Sequence, residues 1–185
     1  LPQTRVFADH VAGRKTPVAY FLVDAMRYEM GVDLVARLGS AAEVTIRPAV
    51  TALPSITPVG MAALQPGAAE SFSVVEQGGK LGARIGDAFL PDMGARRKLA
   101  MARVPGLVDL TLDDLLGLQT SRLATRVQGA KVIVVRSQEI DHAGENGFTM
   151  AARRIMDNVI GDLATAIRKL AAVRVVDAVI SADHG

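Results

Sequence analysis

Three acidic residues each follow an apolar run: Asp24 after "VAYFLV", Asp141 after "VIVVRSQEI" and Asp183 after "VVDAVISA". Carboxylates brought together repel one another unless a positive charge neutralises them, and a divalent cation does so at short range. His184, next to Asp183, and Glu145, four residues beyond Asp141, are donors of kinds that such cations accept. A further stretch, "LPSITPVGMAALQPG", offers Thr57 directly before Pro58, the hydroxyl-then-proline order of a helix start. A hydroxyl there, beside a cation, is placed to attack phosphorus while backbone N–H groups face the incoming anion.

Each residue also has a simpler reading. Asp24 and Thr57 could cap helices, "DHAGEN" around Asp141 and Glu145 could be a polar turn, and "ADHG" another. Simple readings do not explain why three acids fall at strand ends of one sheet; a cation site does. Arg27 is close enough to Asp24 in sequence to reach a bound phosphate, with an exposed helix position as the alternative.

The elements that must position these residues alternate. The run 18–23 is continuously apolar, as in a strand covered on both faces, and 26–38 places Met26, Met30, Leu34 and Leu38 at helical spacing before Gly39. A second unit repeats this order: "KVIVVRSQEID" is expected as a buried strand ending near Asp141, followed by a Gly-rich turn. The helix after it aligns Ile155, Val159, Leu163, Ile167 and Leu170. A third strand is expected over 175–180, another over 43–50, and a short helix over 57–64. The middle, 71–129, is expected to hold two strands around the glycines of "FSVVEQGGKLGARIG", a helix over 91–103 and one or two more over 113–127, as a cap or insertion over the sheet. Strands alternating with helices indicate an α/β domain, a mainly parallel sheet flanked by helices. Ligands bind such sheets at the carboxyl ends of the strands, where the three acids converge. No linker divides residues 1–185, which read as one domain.

Composition narrows the chemistry. Half of the 185 residues are hydrophobic, enough for a substantial core. The net charge of +2, the absence of Trp and the scarcity of Phe and Tyr give little support for a nucleic-acid stripe. Without cysteine there is no disulfide, iron–sulfur cluster or thiolate zinc site, so any metal sits on oxygen and imidazole. No apolar run reaches the roughly 18 residues of a membrane span, and a cytoplasmic protein without a membrane partner is expected. "GGKLGARIG" matches neither phosphate-loop pattern, and G-x-S-x-G and H-E-x-x-H are absent. His10 lies in what reads as an extended polar stretch and receives no role; His142 is expected to support Asp141 or to face solvent.

With "FLVDAMRYEM", "LPSITPVGMAAL", "RSQEIDHAGE" and "ISADHG" in this order, the chain resembles the alkaline phosphatase superfamily, and within it the PglZ domain of bacterial BREX phage-defence systems. The resemblance runs from about Pro17 to Gly185. It implies an alkaline phosphatase-like fold and a phosphoesterase with two divalent cations, zinc in the family manner or manganese. It implies Asp24, Thr57, Asp183 and His184 around one metal, with Thr57 as nucleophile ten residues before Gly67. Asp141 would open the second metal site, where Glu145 stands in place of a more usual histidine. A further histidine has no counterpart, so the chain is expected to be a piece truncated at its C-terminus, with one ligand and the last strands beyond Gly185. Phosphate esters, nucleic-acid phosphodiesters among them, and other defence proteins are the partners implied. The alternative is a catalytically weak, phosphatase-like interaction module within a defence complex.

Overall fold

The computed structural model describes residues 1–145 and 150–185. Its main sheet holds four parallel strands in the order β5-β6-β1-β7, namely Val108–Thr111, Val132–Ser137, Val18–Val23 and Asp177–Ala182. Every residue of β1 and β6 is buried, which accounts for the continuous apolar sequence of β1 and of the first four residues of β6. Register levels the strand ends: Val23, the last residue of β1, lies opposite Ser137 on one side and Ala182 on the other. The segments leaving β6, β1 and β7 therefore emerge side by side on one edge.

Helices cover both faces. Ala19, Phe21, Val23, Ile133 and Val135 pack under α1 (Tyr28–Leu38), α4 (Leu112–Gly117), α5 (Thr120–Val127), α6 (Glu139–Glu145) and α7 (Met150–Ala172). Val18, Tyr20, Leu22, Val132 and Val134 face the N-terminal segment and α2 (Thr57–Ala63). The Tyr20 hydroxyl donates to the Leu64 carbonyl at 3.0 Å, fixing the far end of α2 to β1. Burial raises the Tyr20 pKa, so the phenol stays a donor. Outside α2, an antiparallel sheet of β2 (Phe72–Gln77), β3 (Lys80–Ile85) and β4 (Ala88–Phe89) builds a small core with Ala62 and Leu90, followed by α3 (Met93–Arg103).

The structure departs from the sequence reading at several points. Residues 43–50 form no strand; Val50 makes one isolated bridge with Pro2, and among the described residues no neighbouring strand offers a ladder. β6 ends at Ser137, so Asp141 sits in the first turn of α6 and not at a strand end. The last strand lies two residues later than 175–180. The segment around His10 is helical, with Val6, Phe7 and Val11 buried against the sheet. Ile155 is exposed, whereas Val159, Leu163 and Leu170 of the same helix are buried. Within 71–129, β5 joins the main sheet, a strand that sequence patterning missed. The Gly-rich turn expected after Asp141 falls partly on 146–149, outside the described residues.

Candidate metal centre

Asp24 is the first residue past β1, and its N–H continues the ladder to the Ser137 carbonyl at 2.9 Å. It does not cap α1: Arg27 holds the cap position and makes no side-chain cap bond. Instead the chain turns at Ala25, whose φ of 57° is in the left-handed region that costs a non-glycine residue about 1 kcal/mol or more. That turn aims the Ala25 N–H at Asp183 Oδ1, 3.1 Å away, and the His184 N–H reaches the same oxygen at 2.9 Å. Strain next to the carboxylates is consistent with a functional constraint there.

Thr57 is the first residue of α2, but Ile56 is its cap and no side chain caps it. The Thr57 hydroxyl points elsewhere. It donates to Asp24 Oδ1 at 3.3 Å and lies 3.1 Å from His184 Nε2. His184 Nε2 is 3.5 Å from Asp24 Oδ1 and 3.4 Å from Asp183 Oδ2. Asp24 and Asp183 are buried, at 1% and 0% exposure, while the His184 side chain keeps 20%.

Two glycines allow this approach. A Cβ on Gly60, one turn along α2 from Thr57, would meet the Asp183 carbonyl oxygen at 2.4 Å. A Cβ on Gly185 would come within 2.9 Å of the Arg27 backbone, so the chain after His184 runs closely past the segment that follows Asp24.

Sequence reasoning missed Gln3, which ties the site together from the N-terminal segment. Its Nε2 donates to the carbonyls of Asp183 at 2.7 Å and Ala182 at 3.0 Å, and its Oε1 accepts from the Ala52 N–H at 3.0 Å. One buried amide thus joins the end of β7 to the loop leading into Thr57. Nothing in the local sequence marks it.

The donor set fits a cation. Four of the separations among Thr57 Oγ1, Asp24 Oδ1, Asp183 Oδ2 and His184 Nε2 are 3.1–3.5 Å. Four ligands about 2.0–2.1 Å from a tetrahedral zinc are about 3.4 Å apart. Asp183 Oδ2 is buried without a hydrogen-bond partner among the described residues, the kind of orphaned oxygen that a cation satisfies. Without one, the Asp24 pKa is pushed up to about 7, first by burial and then by the negative charges of Asp183 and Asp141.

Asp141 belongs to the same neighbourhood: a ligand atom of each of Asp24, Asp141 and His184 lies within 4.8 Å of the others. Glu145, one turn further along α6, is exposed and outside that group. Arg27 precedes α1 and is exposed. His142 is exposed as well.

A family model described as the BREX system PglZ alkaline phosphatase-like domain matches residues 2–185. The chain belongs to the PglZ family. It is therefore an alkaline phosphatase-like domain of the phage-defence kind, and the mainly parallel sheet with helices on both faces is the fold of that domain. No curated protein and no solved structure gives a significant match to the chain. Among the described residues, no helix is long and apolar enough to cross a membrane.

Proposed function

We propose that this PglZ domain is a metal-dependent phosphoesterase whose nucleophile is Thr57. The observation that carries the reading is the Thr57 hydroxyl, held 3.3 Å from Asp24 and 3.1 Å from His184, two of the three residues (with Asp141) whose ligand atoms lie within 4.8 Å of one another. Asp24, Asp183 and His184 would hold that cation, zinc or manganese, with Thr57 beside it. Asp141 would contribute to a second. A bound cation supplies charge neutralisation at the phosphoryl oxygens and lowers the pKa of a neighbouring hydroxyl.

The remaining steps belong to the chain. Asp24 Oδ1 accepts the hydrogen bond from Thr57 and orients the oxygen that attacks phosphorus. As the bond between Thr57 Oγ1 and phosphorus forms, the hydroxyl proton passes to solvent and the expelled ester oxygen takes a proton from water, leaving phosphothreonine from a monoester or its phosphate ester from a diester; water then cleaves the Thr57 O–P bond and restores the hydroxyl. His184, partly exposed beside Thr57, lines the side from which substrate arrives. The substrates are phosphate esters, nucleic-acid phosphodiesters among them. Mass spectrometry of the full-length protein quenched during turnover tests the step: a phosphate adduct on Thr57 supports it. Full hydrolysis by Thr57→Ala would remove threonine from the mechanism.

A second reading, a phosphatase-like module that mainly binds other defence proteins, is favoured by one observation. Glu145 stands outside the donor group, which leaves the second cation short of ligands among the described residues. On this reading Asp24→Ala with Asp183→Ala leaves both the complex and phage resistance intact.

A further inference from the structure

The acidic centre has a cationic neighbour that the proposed mechanism does not use. Arg96, in the first turn of α3, is 5% exposed, and among the described residues its Nε and Nη1 have no hydrogen-bond partner. It lines a cleft with Asp24, Met61, Arg136 and Ser137, between α2, α3 and the carboxyl ends of β1 and β6. Met61 is one helical turn after Thr57, so the two residues lie on the same side of α2, and Asp24, which accepts from the Thr57 hydroxyl, lines the cleft as well.

The charges around it are already committed. Arg136 is paired with Asp109, at 2.7 Å from Nη2 and 3.0 Å from Nε to the same oxygen. Asp92 Oδ1 caps α3 by accepting from the Ala95 N–H at 2.8 Å. The other carboxylates that act on Arg96, Asp24 and Asp183, are those assigned above to the cation. Burial lowers the guanidinium pKa only to about 10, so Arg96 is charged at neutral pH. A buried charge with two unused donor nitrogens is costly unless an anion completes it.

We propose that Arg96 forms an anion subsite beside the metal centre and receives a non-bridging oxygen of the substrate's phosphate. This rests on the phosphoesterase reading for its substrate, though not for its geometry. An anion there meets the guanidinium through a charge-assisted hydrogen bond while Thr57 faces the phosphorus. Arg136 braces the cleft with its Nε and Nη2 already engaged by Asp109, a carboxylate that Arg97 also approaches at 3.7 Å.

The test is a titration of inorganic phosphate into the full-length protein, read by calorimetry and by phosphorus NMR line width, with zinc and again in chelator. Arg96→Met, which removes the donors and keeps most of the volume, is expected to weaken phosphate binding about tenfold or more, with zinc stoichiometry unchanged and the melting temperature of the phosphate-free protein no lower than that of wild type. Arg96→Lys, which keeps the charge, is expected to lose less, and it carries the test if the Met variant does not fold. Phosphate that binds equally well to wild type and to folded Arg96 variants overturns the subsite, as does no phosphate binding in either condition. Zinc stoichiometry in the same samples separates the two ideas. Absent zinc counts against the phosphoesterase reading, whereas Arg96-dependent phosphate binding in chelator upholds the subsite regardless.

Discussion

Gly60 lies directly beneath the carbonyl of Asp183, so close that a Cβ would be 2.4 Å from its oxygen. This contact brings the helix that begins with Thr57 against the turn that carries Asp183 and His184. The proposed nucleophile and two candidate ligands, far apart in sequence, share one van der Waals contact as their reference point.

Gly60→Ala is therefore expected to push α2 off the end of β7. Because the clash is with backbone, relief requires a shift of the helix, at a cost of about 1–3 kcal/mol. Thermal unfolding with and without zinc checks this. The stabilisation by zinc should shrink along with the melting temperature, because Thr57 moves with the helix.

Gln3→Ala leaves the buried Asp183 carbonyl, the half-buried Ala182 carbonyl and the Ala52 N–H without their amide partner. A loss of about 1–3 kcal/mol is expected in denaturant unfolding. If Gln3 also positions the site, zinc affinity falls too, and Gln3→Glu, which keeps an acceptor for Ala52 and loses the donor to the carbonyls, does not restore it.

Asp24 makes the metal-free protein sensitive to pH. Its folded pKa of about 7 lies above the roughly 3.9 of an unfolded aspartate. Its contribution is thus fully present below about pH 4 and is lost as pH rises through 7, because the buried carboxylate must then ionise beside Asp183 and Asp141. In chelator, wild type should lose stability relative to Asp24→Asn between about pH 4 and 8. Zinc binding should show the opposite trend and strengthen over the same window, since the metal takes the ionised form. Equal pH profiles for wild type and Asp24→Asn in chelator would remove Asp24 as their source.

Thr57→Ala is expected to reduce hydrolysis of an activated phosphodiester by on the order of 10³-fold or more while leaving the fold intact, since the hydroxyl caps nothing. Thr57→Ser keeps an attacking oxygen and should retain a substantial part of the rate. Circular dichroism beside the kinetics separates chemistry from folding.

Much of this arrangement is legible in the sequence because it rests on local signals. β1 is an unbroken apolar run and β6 begins with one, Val132–Val135, and the residues just past the two strands must emerge at the same edge of a parallel sheet. The features that escape a sequence reading depend on partners distant in the chain. β5 is four residues long and contains Asp109, a poor strand residue until Arg136 of the next strand pairs with it. Residues 43–50 have strand-like alternation but no strand beside them. Arg96 stands in "ARRKLAMAR", where nothing separates it from Arg97 and Lys98; only the packing of α3 buries the first and leaves the other two outside. Asp141 reaches the expected neighbourhood by a different route, from the first turn of α6 and not from the strand end.

The most direct test is anomalous diffraction at the zinc edge from crystals of the full-length protein grown with zinc. The expected result is a peak about 2.0–2.2 Å from Asp24, Asp183 and His184, with Thr57 Oγ1 beside it. No peak there, or a peak elsewhere with Thr57 still bonded only to Asp24 and His184, would contradict a metal-dependent phosphoesterase built on these residues.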